Sequence, residues 1–532
     1  MSLGALFPNG PTSQGLASAF GSSADLCTRS AITLPEFPTM KVLSLEATPR
    51  ENYTFFAPQT PGEEHEPWEG LNFCNVTIVY THPGWHDEVV VTTFLPTEDW
   101  NGRFMANGGG GFLTCGDTTL HFTMVPGLER GFAVSTTDGG HRQGGYLDPS
   151  PWAFASPGNV NLPLLTDFAS LALHDMSVIG KAVVNAFYGK PPNHSYFYGS
   201  STGGRQGHMI AQRHPEDFDG IIAIMPAMNW NRFIWSSVWP PFVMDALQFY
   251  PRPCEIDAIT EAAMRRCDGL DGAEDGIISR LDLCDFDPNS LIGTEFDCNG
   301  ETAKITTGGA TIAKATFDGP RSAAGQFQWF GFTPGTNISQ FGIGPAVTEC
   351  DGEKCDAVPF QITHNWAKYF LAKNADFDMR RISHETWDEL RRKSINEYES
   401  IMGSADADLS GLRKAGSKLL NWHGTIDNAI PVNGSVEYYE RVLDLDPKAH
   451  DYYRFFVAPG AAHCLACGLV PDPMGLMDIM VAWTEEGIAP ETLPVAGDNK
   501  DGTRLERDIC MYPRVQHYVG GDYTKPSSFT CV

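Results

Sequence analysis

Residues 196–215 read YFYGSSTGGRQGHMIAQRHP, an apolar strand followed by a glycine-flanked serine and then a helix-like segment. Within this stretch, residues 199–203 match G-x-S-x-G, with Ser201 in the central place. The motif indicates a nucleophile elbow only where a strand precedes it and a helix follows it. Because the chain contains 54 glycines, a plain Gly/Ser turn is the alternative. The rest of the sequence must decide between the two.

Strand-like and helix-like segments alternate around this motif. NFCNVTIVY (72–80) and EVVVTTFLP (88–96) are β-branched runs, and RFMANG (103–108) and GFAVSTT (131–137) continue the pattern. Residues 162–189 carry apolar side chains at helical spacing for about seven turns and lead into the elbow strand, and GIIAIMP (220–226) follows the elbow. Such strand–helix–strand units are typical of a parallel sheet. We therefore predict an α/β fold of the α/β-hydrolase type.

The middle third of the chain has a different character. Between about residues 227 and 410 the sequence is rich in aromatics, cysteines, Gly/Pro-rich loops and charged helical segments, and strand-like sequence returns with SKLLNWHG (417–424) and YYRFFVAPG (452–460). An open sheet tolerates a long insertion in a loop better than within a strand. We predict a catalytic domain formed by residues 1–226 and 411–532, interrupted by a lid domain at 227–410.

A serine nucleophile needs a base, and the base needs a group that orients it. In this fold the three residues follow in the order Ser, Asp, His, each on a loop after a strand. Asp427 follows the strand-like 417–424, and His463 follows the strand-like 452–460. An Asp in such a place commonly caps a turn, and a loop histidine is commonly a surface residue. Three residues in the correct order nevertheless favour a Ser201–His463–Asp427 triad.

Acyl transfer also requires N–H donors directed at the developing oxyanion. NGGGGF (107–112) follows a strand, and its four glycines allow a substrate to approach the backbone closely. We assign one of these glycines, Gly109 or Gly110, to the oxyanion hole together with the N–H of Thr202. A flexible hairpin loop is the alternative interpretation.

Composition limits the partners and the compartment. The formal net charge is −28, from 65 acidic and 37 basic residues, which disfavours nucleic acid and anionic membrane surfaces as partners. No run of residues approaches the roughly 18 apolar residues of a membrane span. Thirteen cysteines and five N-x-S/T sequons favour secretion into an oxidising medium, with N-glycans attached. The first residues carry no Lys or Arg before Arg29, so we expect no signal peptide in this chain. The sequons are at Asn52, Asn75, Asn193, Asn337 and Asn433.

The combined motifs resemble those of the tannase and feruloyl esterase family of secreted fungal and bacterial esterases. The resemblance covers nearly the whole chain through NGGGGF, YFYGSSTGGRQG, CDGLDGAEDGII, HGTIDNAIP and GAAHC. It implies a carboxylic-ester hydrolase that acts on phenolic-acid esters. Feruloyl esters of plant cell-wall polysaccharide are the first expectation and galloyl esters of tannins the second, while one relative hydrolyses a terephthalate monoester. A hydrolase-fold binding protein without activity is the non-enzymatic alternative.

The chain departs from the family pattern at one position. Family members place one cysteine before the nucleophile and another after the catalytic histidine, and a disulfide joins the two. Here Cys464 follows His463, but Ser200 stands where the other cysteine is expected. Cys464 is therefore free, or it pairs with Cys467 or with Cys115. The resemblance implies the disulfides Cys27–Cys74, Cys267–Cys284 and Cys510–Cys531, and proximity alone suggests Cys350–Cys355.

The stretch CDGLDGAEDGIISRLD (267–282) concentrates carboxylates. Close carboxylates repel one another unless a cation neutralises them, and Ca²⁺ takes six to eight oxygen ligands. The resemblance implies a structural Ca²⁺ site, and a solvated acidic turn is the alternative. The implied ligands are the side chains of Asp268, Asp271 and Asp275 and the backbone carbonyls of Ala273 and Ile277.

Aromatic residues at the start of the lid are candidates to stack on a phenolic ring. We expect one or two of them to contact substrate, and the remainder to form the core of the lid. The candidates are Trp230, Phe233 and Trp235.

Overall fold

The computed structural model describes residues 26–56, 66–115, 123–141, 144–352, 354–463, 468–499 and 502–532. A nine-stranded sheet lies at the centre, with strand order β1-β2-β3-β5-β4-β8-β9-β14-β15. Its strands are β1 (Lys41–Phe55), β2 (Trp68–Thr81), β3 (Val89–Pro96), β4 (Arg103–Asn107), β5 (Ala133–Thr137), β8 (His194–Ser200), β9 (Gly220–Ile224), β14 (Lys418–Gly424) and β15 (Tyr453–Ala458).

Five short antiparallel hairpins lie outside this sheet among the described residues. Their strands are β6 (Phe154–Ser156), β7 (Asn159–Val160), β10 (Glu295–Cys298), β11 (Glu301–Lys304), β12 (Thr348–Asp351), β13 (Lys354–Ala357), β16 (Thr492–Asp498), β17 (Arg504–Cys510), β18 (Gln516–Tyr518) and β19 (Phe529–Cys531).

The α-helices are α1 (Val125–Glu129), α2 (Ser150–Ala153), α3 (Leu162–Thr166), α4 (Ala172–Tyr188), α5 (Thr202–Arg213), α6 (Trp230–Leu247), α7 (Pro253–Cys267), α8 (Thr307–Asp318), α9 (Gln361–Asn365), α10 (His384–Met402), α11 (Ser410–Ala415), α12 (Asn433–Leu445) and α13 (Pro473–Val481). π-helical turns occupy Asp167–Leu171, Trp366–Leu371 and Ala482–Glu486. Single 3₁₀ turns occupy Asp268–Asp271, Leu281–Leu283, Pro288–Leu291, Ala449–Asp451 and Pro526–Ser528.

The sheet is mixed, and its parallel half carries the elbow. β1, β2, β3 and β5 pair antiparallel, whereas β5, β4, β8, β9, β14 and β15 pair parallel. The carboxyl ends of these parallel strands meet at one edge, where α/β folds place their ligand sites. This arrangement is that of the predicted α/β-hydrolase fold.

The long insertion begins after one strand of the central sheet and ends before the strand that pairs with it. β9 ends at Ile224 and β14 begins at Lys418, yet the two strands pair directly, with Ile222 opposite Leu420. The inserted segment shares core with the rest of the chain, because Trp230, Trp366 and Trp387 from the insertion pack in one cluster with Phe112 and Phe168. The inserted segment is thus joined to the part of the chain that forms the sheet by a continuous aromatic core.

The predicted long helix is present as α3, a π-turn and α4. Contrary to the sequence analysis, this stretch, Leu162–Tyr188, is long and apolar enough by composition to cross a membrane, but 61% of its most apolar window is buried within the fold. Ala172, Met176, Ile179 and Val183 are fully buried in the main core. The burial is that expected of a core helix in an α/β fold.

Five disulfides connect described cysteines. Those that the resemblance implied, Cys27–Cys74, Cys267–Cys284 and Cys510–Cys531, are present, and so is Cys350–Cys355. The fifth joins Cys254, near the start of α7, to Cys298 at the end of β10, a pairing that the sequence analysis left unassigned. Three of the five therefore lie in the lid.

Candidate active site

Ser201 lies at the sharp turn between β8 and α5. Its backbone has φ 58° and ψ −118°, a conformation that side chains seldom adopt and that is characteristic of a nucleophile elbow. The turn requires glycine on both sides. A Cβ on Gly199 would lie 2.4 Å from the Gly203 carbonyl oxygen, and a Cβ on Gly203 would lie 2.9 Å from the Gly109 carbonyl oxygen.

The structure brings the three predicted triad residues together. His463 Nε2 lies 3.0 Å from Ser201 Oγ, and His463 Nδ1 lies 2.7 Å from Asp427 Oδ2. Asp427 follows β14 and His463 follows β15, so adjacent parallel strands deliver the acid and the base to the same edge of the sheet. These distances allow a proton to pass from the hydroxyl to the imidazole and allow the carboxylate to orient the ring.

Asp427 is buried, and its carboxylate accepts four hydrogen bonds. Oδ1 accepts the backbone N–H groups of Ala429 and Ile430, and Oδ2 accepts from His463 and from a second imidazole, His423 Nε2, at 3.1 Å. Burial alone would raise the pKa of Asp427, but the two imidazoles outweigh it and hold the pKa below its ordinary value. The carboxylate is therefore ionised and fixed in orientation.

Sequence reasoning missed His423. It lies within β14, its side chain is fully buried, and its Nδ1 accepts a hydrogen bond from Ser435 Oγ at 2.8 Å. Nε2 faces two acceptors, Asp427 Oδ2 and the Ile430 carbonyl oxygen at 3.2 Å, so the ring proton is on Nε2 and Nδ1 is the acceptor. The HG pair immediately before TIDN is the sequence signal that could have identified it.

The glycine loop after β4 lies against the start of α5. Gly203 N–H donates to the Gly109 carbonyl at 2.8 Å, and Thr202 Oγ1 donates to the Gly111 carbonyl at 2.7 Å. Gly109 N–H donates to Gln206 Oε1 at 3.0 Å, so it is engaged within the protein and does not face a substrate. Of the two predicted glycines, Gly110 is therefore the remaining candidate, together with Thr202.

A small cavity of about 190 Å³ opens at Ser201 and His463. Its described walls include Trp230 and Phe233 from α6, and they contain no Asp, Glu, Lys or Arg. The lining residues are Tyr146, Leu147, Ser201, Thr202, Trp230, Phe233, Gly342, Ile343, Phe360, Ile362, Ala429, Ile430 and His463. A larger cleft of about 830 Å³, between residues 468–479 and 494–508, contains none of the three triad residues among its described walls.

Of the three candidate aromatics, Trp230 and Phe233 line the described part of this cavity and Trp235 does not. Its buried ring packs edge-on against Trp387 of α10, with ring centroids 4.9 Å apart. The reason is helical phase. Trp230 and Phe233 project within about 60° of each other around α6, whereas Trp235 projects from the far side. Trp235 is thus part of the lid core.

The acidic loop after α7 folds back on its own backbone. Asp268 Oδ1 and Oδ2 together accept N–H groups from Asp275, Gly276 and Ile277. Asp275 Oδ2 forms a buried ion pair with Arg507 of β17 at 2.6 Å. Asp271 Oδ2 is buried without a hydrogen-bond partner. Burial raises the pKa of Asp271, and it raises the pKa of Asp275 to about 6 although Arg507 opposes the shift.

This loop also contacts the segment that carries the catalytic histidine. The Ile277 side chain lies against Gly460, where a Cβ added to the glycine would be 3.3 Å from it. In the same loop, the Asp275 carbonyl accepts a hydrogen bond from Asn499 Nδ2 at 2.7 Å. The unpartnered carboxylate oxygen of Asp271 fits an oxygen-rich cation site, and the implied ligands are all within one loop. Arg507 already neutralises part of the charge on Asp275.

Cysteines near the site are only partly described. Cys464 and Cys467 lie outside the described residues. Cys115 is free and buried, so the alternative pairing of Cys464 with Cys115 is wrong. Its Sγ lies 2.6 Å from the Asn107 carbonyl, and burial raises the pKa of the thiol to about 12. Cys115 is therefore an unreactive thiol beneath the glycine loop.

Comparison with known proteins fixes the family. The family model for tannase and feruloyl esterase matches residues 74–532. The chain belongs to the tannase and feruloyl esterase family. It is 38% identical to a probable feruloyl esterase of Arthroderma benhamiae, over 97% of this chain and 96% of that protein. It is 29% identical to a tannase of Aspergillus oryzae, over 87% and 85% of the two chains.

Solved structures agree with this assignment. The tannin acyl hydrolase from Aspergillus niger superposes with a TM-score of 0.82 at 26% identity, covering 97% of this chain and 96% of the other. Feruloyl esterase B from Aspergillus oryzae superposes with a TM-score of 0.79 at 26% identity, covering 96% and 100%. The predicted α/β-hydrolase fold and the predicted enzyme class, a carboxylic-ester hydrolase, are confirmed.

Proposed function

We propose that this family member is a serine esterase that hydrolyses feruloyl esters, such as those of plant cell-wall polysaccharide, through an acyl-enzyme. The observation that carries the proposal is the position of the Ser201–His463 pair at the floor of an apolar, aromatic-lined cavity. A hydroxyl within 3.0 Å of an imidazole has the base it needs, and the cavity offers a place for the acyl group.

In the acylation step, Ser201 Oγ attacks the ester carbonyl carbon while His463 Nε2 takes the hydroxyl proton. Asp427 stabilises the resulting imidazolium and keeps Nε2 directed at the serine. Collapse of the tetrahedral intermediate breaks the bond to the alcohol oxygen, which receives the proton from His463. Water then repeats the sequence on the acyl-enzyme and releases the acid.

The oxyanion is proposed to accept hydrogen bonds from Thr202 N–H and Gly110 N–H. Thr202 is the first residue of α5, so its N–H has no acceptor within the helix. Gly110 belongs to the loop that Gly203 and Gln206 hold beside the nucleophile. Donors fixed in this way stabilise developing charge without reorganisation.

The cavity favours feruloyl over galloyl esters. A galloyl ring carries three adjacent hydroxyls, and each buried hydroxyl without a partner costs about 1–3 kcal/mol. Apart from Ser201, Thr202 and His463, the described walls offer two side-chain polar groups, the Tyr146 hydroxyl and the unpartnered indole N–H of Trp230. A methoxylated phenyl ring places less polar surface against Trp230 and Phe233. The site therefore suits an aromatic acid with few hydroxyls.

The decisive experiment compares kcat/KM for methyl ferulate and methyl gallate, with Ser201→Ala as the inactive control. We expect ferulate to be preferred at least about tenfold. A preference for gallate would assign the chain as a tannase. Labelling by a fluorophosphonate that is lost in Ser201→Ala tests the serine mechanism, and an intact protein without labelling or hydrolysis would indicate a non-enzymatic binding protein.

Structural calcium at the acidic loop is part of the proposal. Side chains of Asp268, Asp271 and Asp275, with the Ala273 and Ile277 carbonyls, would hold the ion. The buried, unpartnered oxygen of Asp271 supports it. An ion there would neutralise buried carboxylates and stabilise the loop against the His463 segment, with no part in the chemical steps.

We further propose that the esterase is extracellular and glycosylated. The five described disulfides support an oxidising compartment. Four sequon asparagines are exposed and accessible to a glycan, namely Asn52, Asn193, Asn337 and Asn433. Asn75 is half-buried, so we expect it to remain unmodified. Peptide mapping of secreted material before and after deglycosylation tests the assignment.

A further inference from the structure

A cluster of two histidines and one aspartate lies away from the catalytic site. His174 is on α4, His214 directly follows α5, and Asp217 is in the turn before β9. One ligand atom from each residue lies within 4.8 Å of the other two. His174 Nδ1 is 2.8 Å from Asp217 Oδ2, and the two imidazole rings are stacked with centroids 4.1 Å apart.

The surrounding backbone fixes the turn that presents this cluster. Asp217 N–H donates to the His214 carbonyl at 3.0 Å, and Ser177 Oγ donates to the Asp217 carbonyl at 3.2 Å. Lys181 Nζ also donates to that carbonyl. The ligand atoms therefore project from ordered elements of the scaffold.

The cluster is accessible and has unused coordination capacity. The side chain of His174 is 32% exposed and that of Asp217 is 11% exposed, so an ion can reach them without unfolding. Within the described residues, neither ring nitrogen of His214 forms a hydrogen bond. Burial and the neighbouring His174 lower the pKa of His214. A neutral imidazole carries its proton on one ring nitrogen and leaves the lone pair of the other available to a metal. Stacked imidazoles repel when both are protonated, whereas one cation can satisfy both.

We propose that His174, His214 and Asp217 form a binding site for a divalent transition-metal cation, with Zn²⁺ best matched to the ligand set. Two imidazole nitrogens and one carboxylate oxygen, with water in the fourth position, form a common tetrahedral zinc environment. When the ion binds, metal bonds replace the His174–Asp217 hydrogen bond, and the proton of that hydrogen bond leaves His174 Nδ1. The ion would connect α4 to the C-terminal end of α5, the helix that begins directly after Ser201.

The test adds ZnCl₂ to the full chain in calcium-containing buffer without chelator. We expect one zinc per chain by titration calorimetry and a rise in Tm of about 1–4 °C that fades below about pH 5, where the imidazoles hold protons. Co²⁺ in place of zinc should give the visible absorption bands of a tetrahedral site.

His214→Gln and His174→Gln should each abolish the zinc response while retaining the metal-free Tm and the esterase activity. His450→Gln is the matched control, since it removes a histidine that is 46% exposed and has a single carboxylate neighbour. A zinc response that is absent from the wild type, or equal in His214→Gln and wild type, overturns the proposal. Zinc bound at Cys464, Cys467 or His463 would give that second result, because those residues are intact in His214→Gln.

Discussion

His423 Nε2 lies 3.1 Å from Asp427 Oδ2, the same oxygen that accepts the hydrogen bond from His463 Nδ1. The carboxylate is thus shared between the imidazole that performs chemistry and a buried one that cannot reach substrate. Ser435 holds the second ring in place. His423 is therefore a positioning residue, and the hydrogen bond that it donates offsets part of the negative charge on Asp427.

Replacing His423 tests this role. His423→Leu removes a hydrogen-bond donor from Asp427, so less of the negative charge on the carboxylate is offset. The carboxylate then stabilises the protonated form of His463 more strongly. We expect kcat to fall about tenfold or more and the acidic limb of the pH–rate profile to move to higher pH. His423→Gln, which keeps an N–H donor, should recover much of the activity. An unchanged pH profile in a folded His423→Leu protein would reduce His423 to a core residue.

Gln206 supports the proposed oxyanion hole from behind. Its Oε1 accepts Gly109 N–H, and its Nε2 donates to the Thr114 carbonyl at 3.0 Å. Gln206→Leu frees the glycine loop, so kcat should fall about 10- to 1,000-fold with little change in KM. Gln212→Leu, on the same helix and bonded to Tyr438, is the control. Equal kinetic losses in the two variants would contradict the assignment.

The two faces of α6 predict different phenotypes. Phe233→Leu alters the cavity wall, and we expect kcat/KM for methyl ferulate to fall about tenfold with a small change in Tm. Trp235→Phe opens space in the lid core against Trp387, so Tm should fall while KM stays unchanged. Steady-state kinetics and calorimetry on both variants distinguish the roles. The reverse pattern would show that the cavity is not the acyl site.

The acidic loop should make calcium dependence vary with pH. In the folded chain without calcium, burial raises the pKa of Asp275 to about 6, above the unfolded value near ~4. Its contribution to stability is complete below about pH 4, where the carboxyl is protonated in both the folded and the unfolded chain, and is lost as pH rises through about 6. Calcium binds the ionised form, so EDTA should lower Tm more at about pH 7.5 than at about pH 4.5.

Asp271→Asn should remove most of this EDTA response. Asp282→Asn changes an exposed carboxylate in the same segment, paired with Arg280, and should leave the response intact. If EDTA has no effect on the Tm of the wild type at either pH, the loop is a solvated acidic turn closed by Arg507.

The missing cysteine at position 200 can be restored. Ser200 and Cys464 are the sequence neighbours of Ser201 and His463, whose side chains are hydrogen-bonded to each other. We expect a new disulfide and slower loss of activity on heating, because the bond would connect the two catalytic loops. Ser200→Ala is the control. Mass spectrometry that finds the new thiol unpaired would refute the prediction.

The catalytic side chains that lie on loops directly after strands could be predicted from the sequence alone. Ser201, Asp427 and His463 were identifiable because each comes after an apolar strand-like run, and parallel strands end at a common edge. His423 was not identifiable in this way, since a histidine inside a buried strand is read as core. The distinction between Gly109 and Gly110 depends on Gln206, whose contact with the loop appears only after folding.

Contacts distant in sequence explain the remaining differences. The face of α6 that meets the cavity depends on how the lid packs, so Trp235 could not be separated from Trp230 and Phe233 in advance. His174 and His214 are 40 residues apart and become neighbours only when α4 and α5 pack on the sheet. The Arg507–Asp275 ion pair similarly joins β17 to the acidic loop, 232 residues apart in sequence.

The contact of Ile277 with Gly460 bears on the engineering of chimeric enzymes. A chimera could exchange the region between Ile224 and Lys418 for that of another family member. The exchange would replace cavity-wall residues such as Trp230 and Phe233, and it would also replace Ile277, which packs against the segment that carries His463. The donor segment must therefore bring a residue shaped to fit against Gly460 and a partner for the recipient's Arg507. Swaps designed to alter selectivity will otherwise lose turnover for a reason unrelated to substrate recognition.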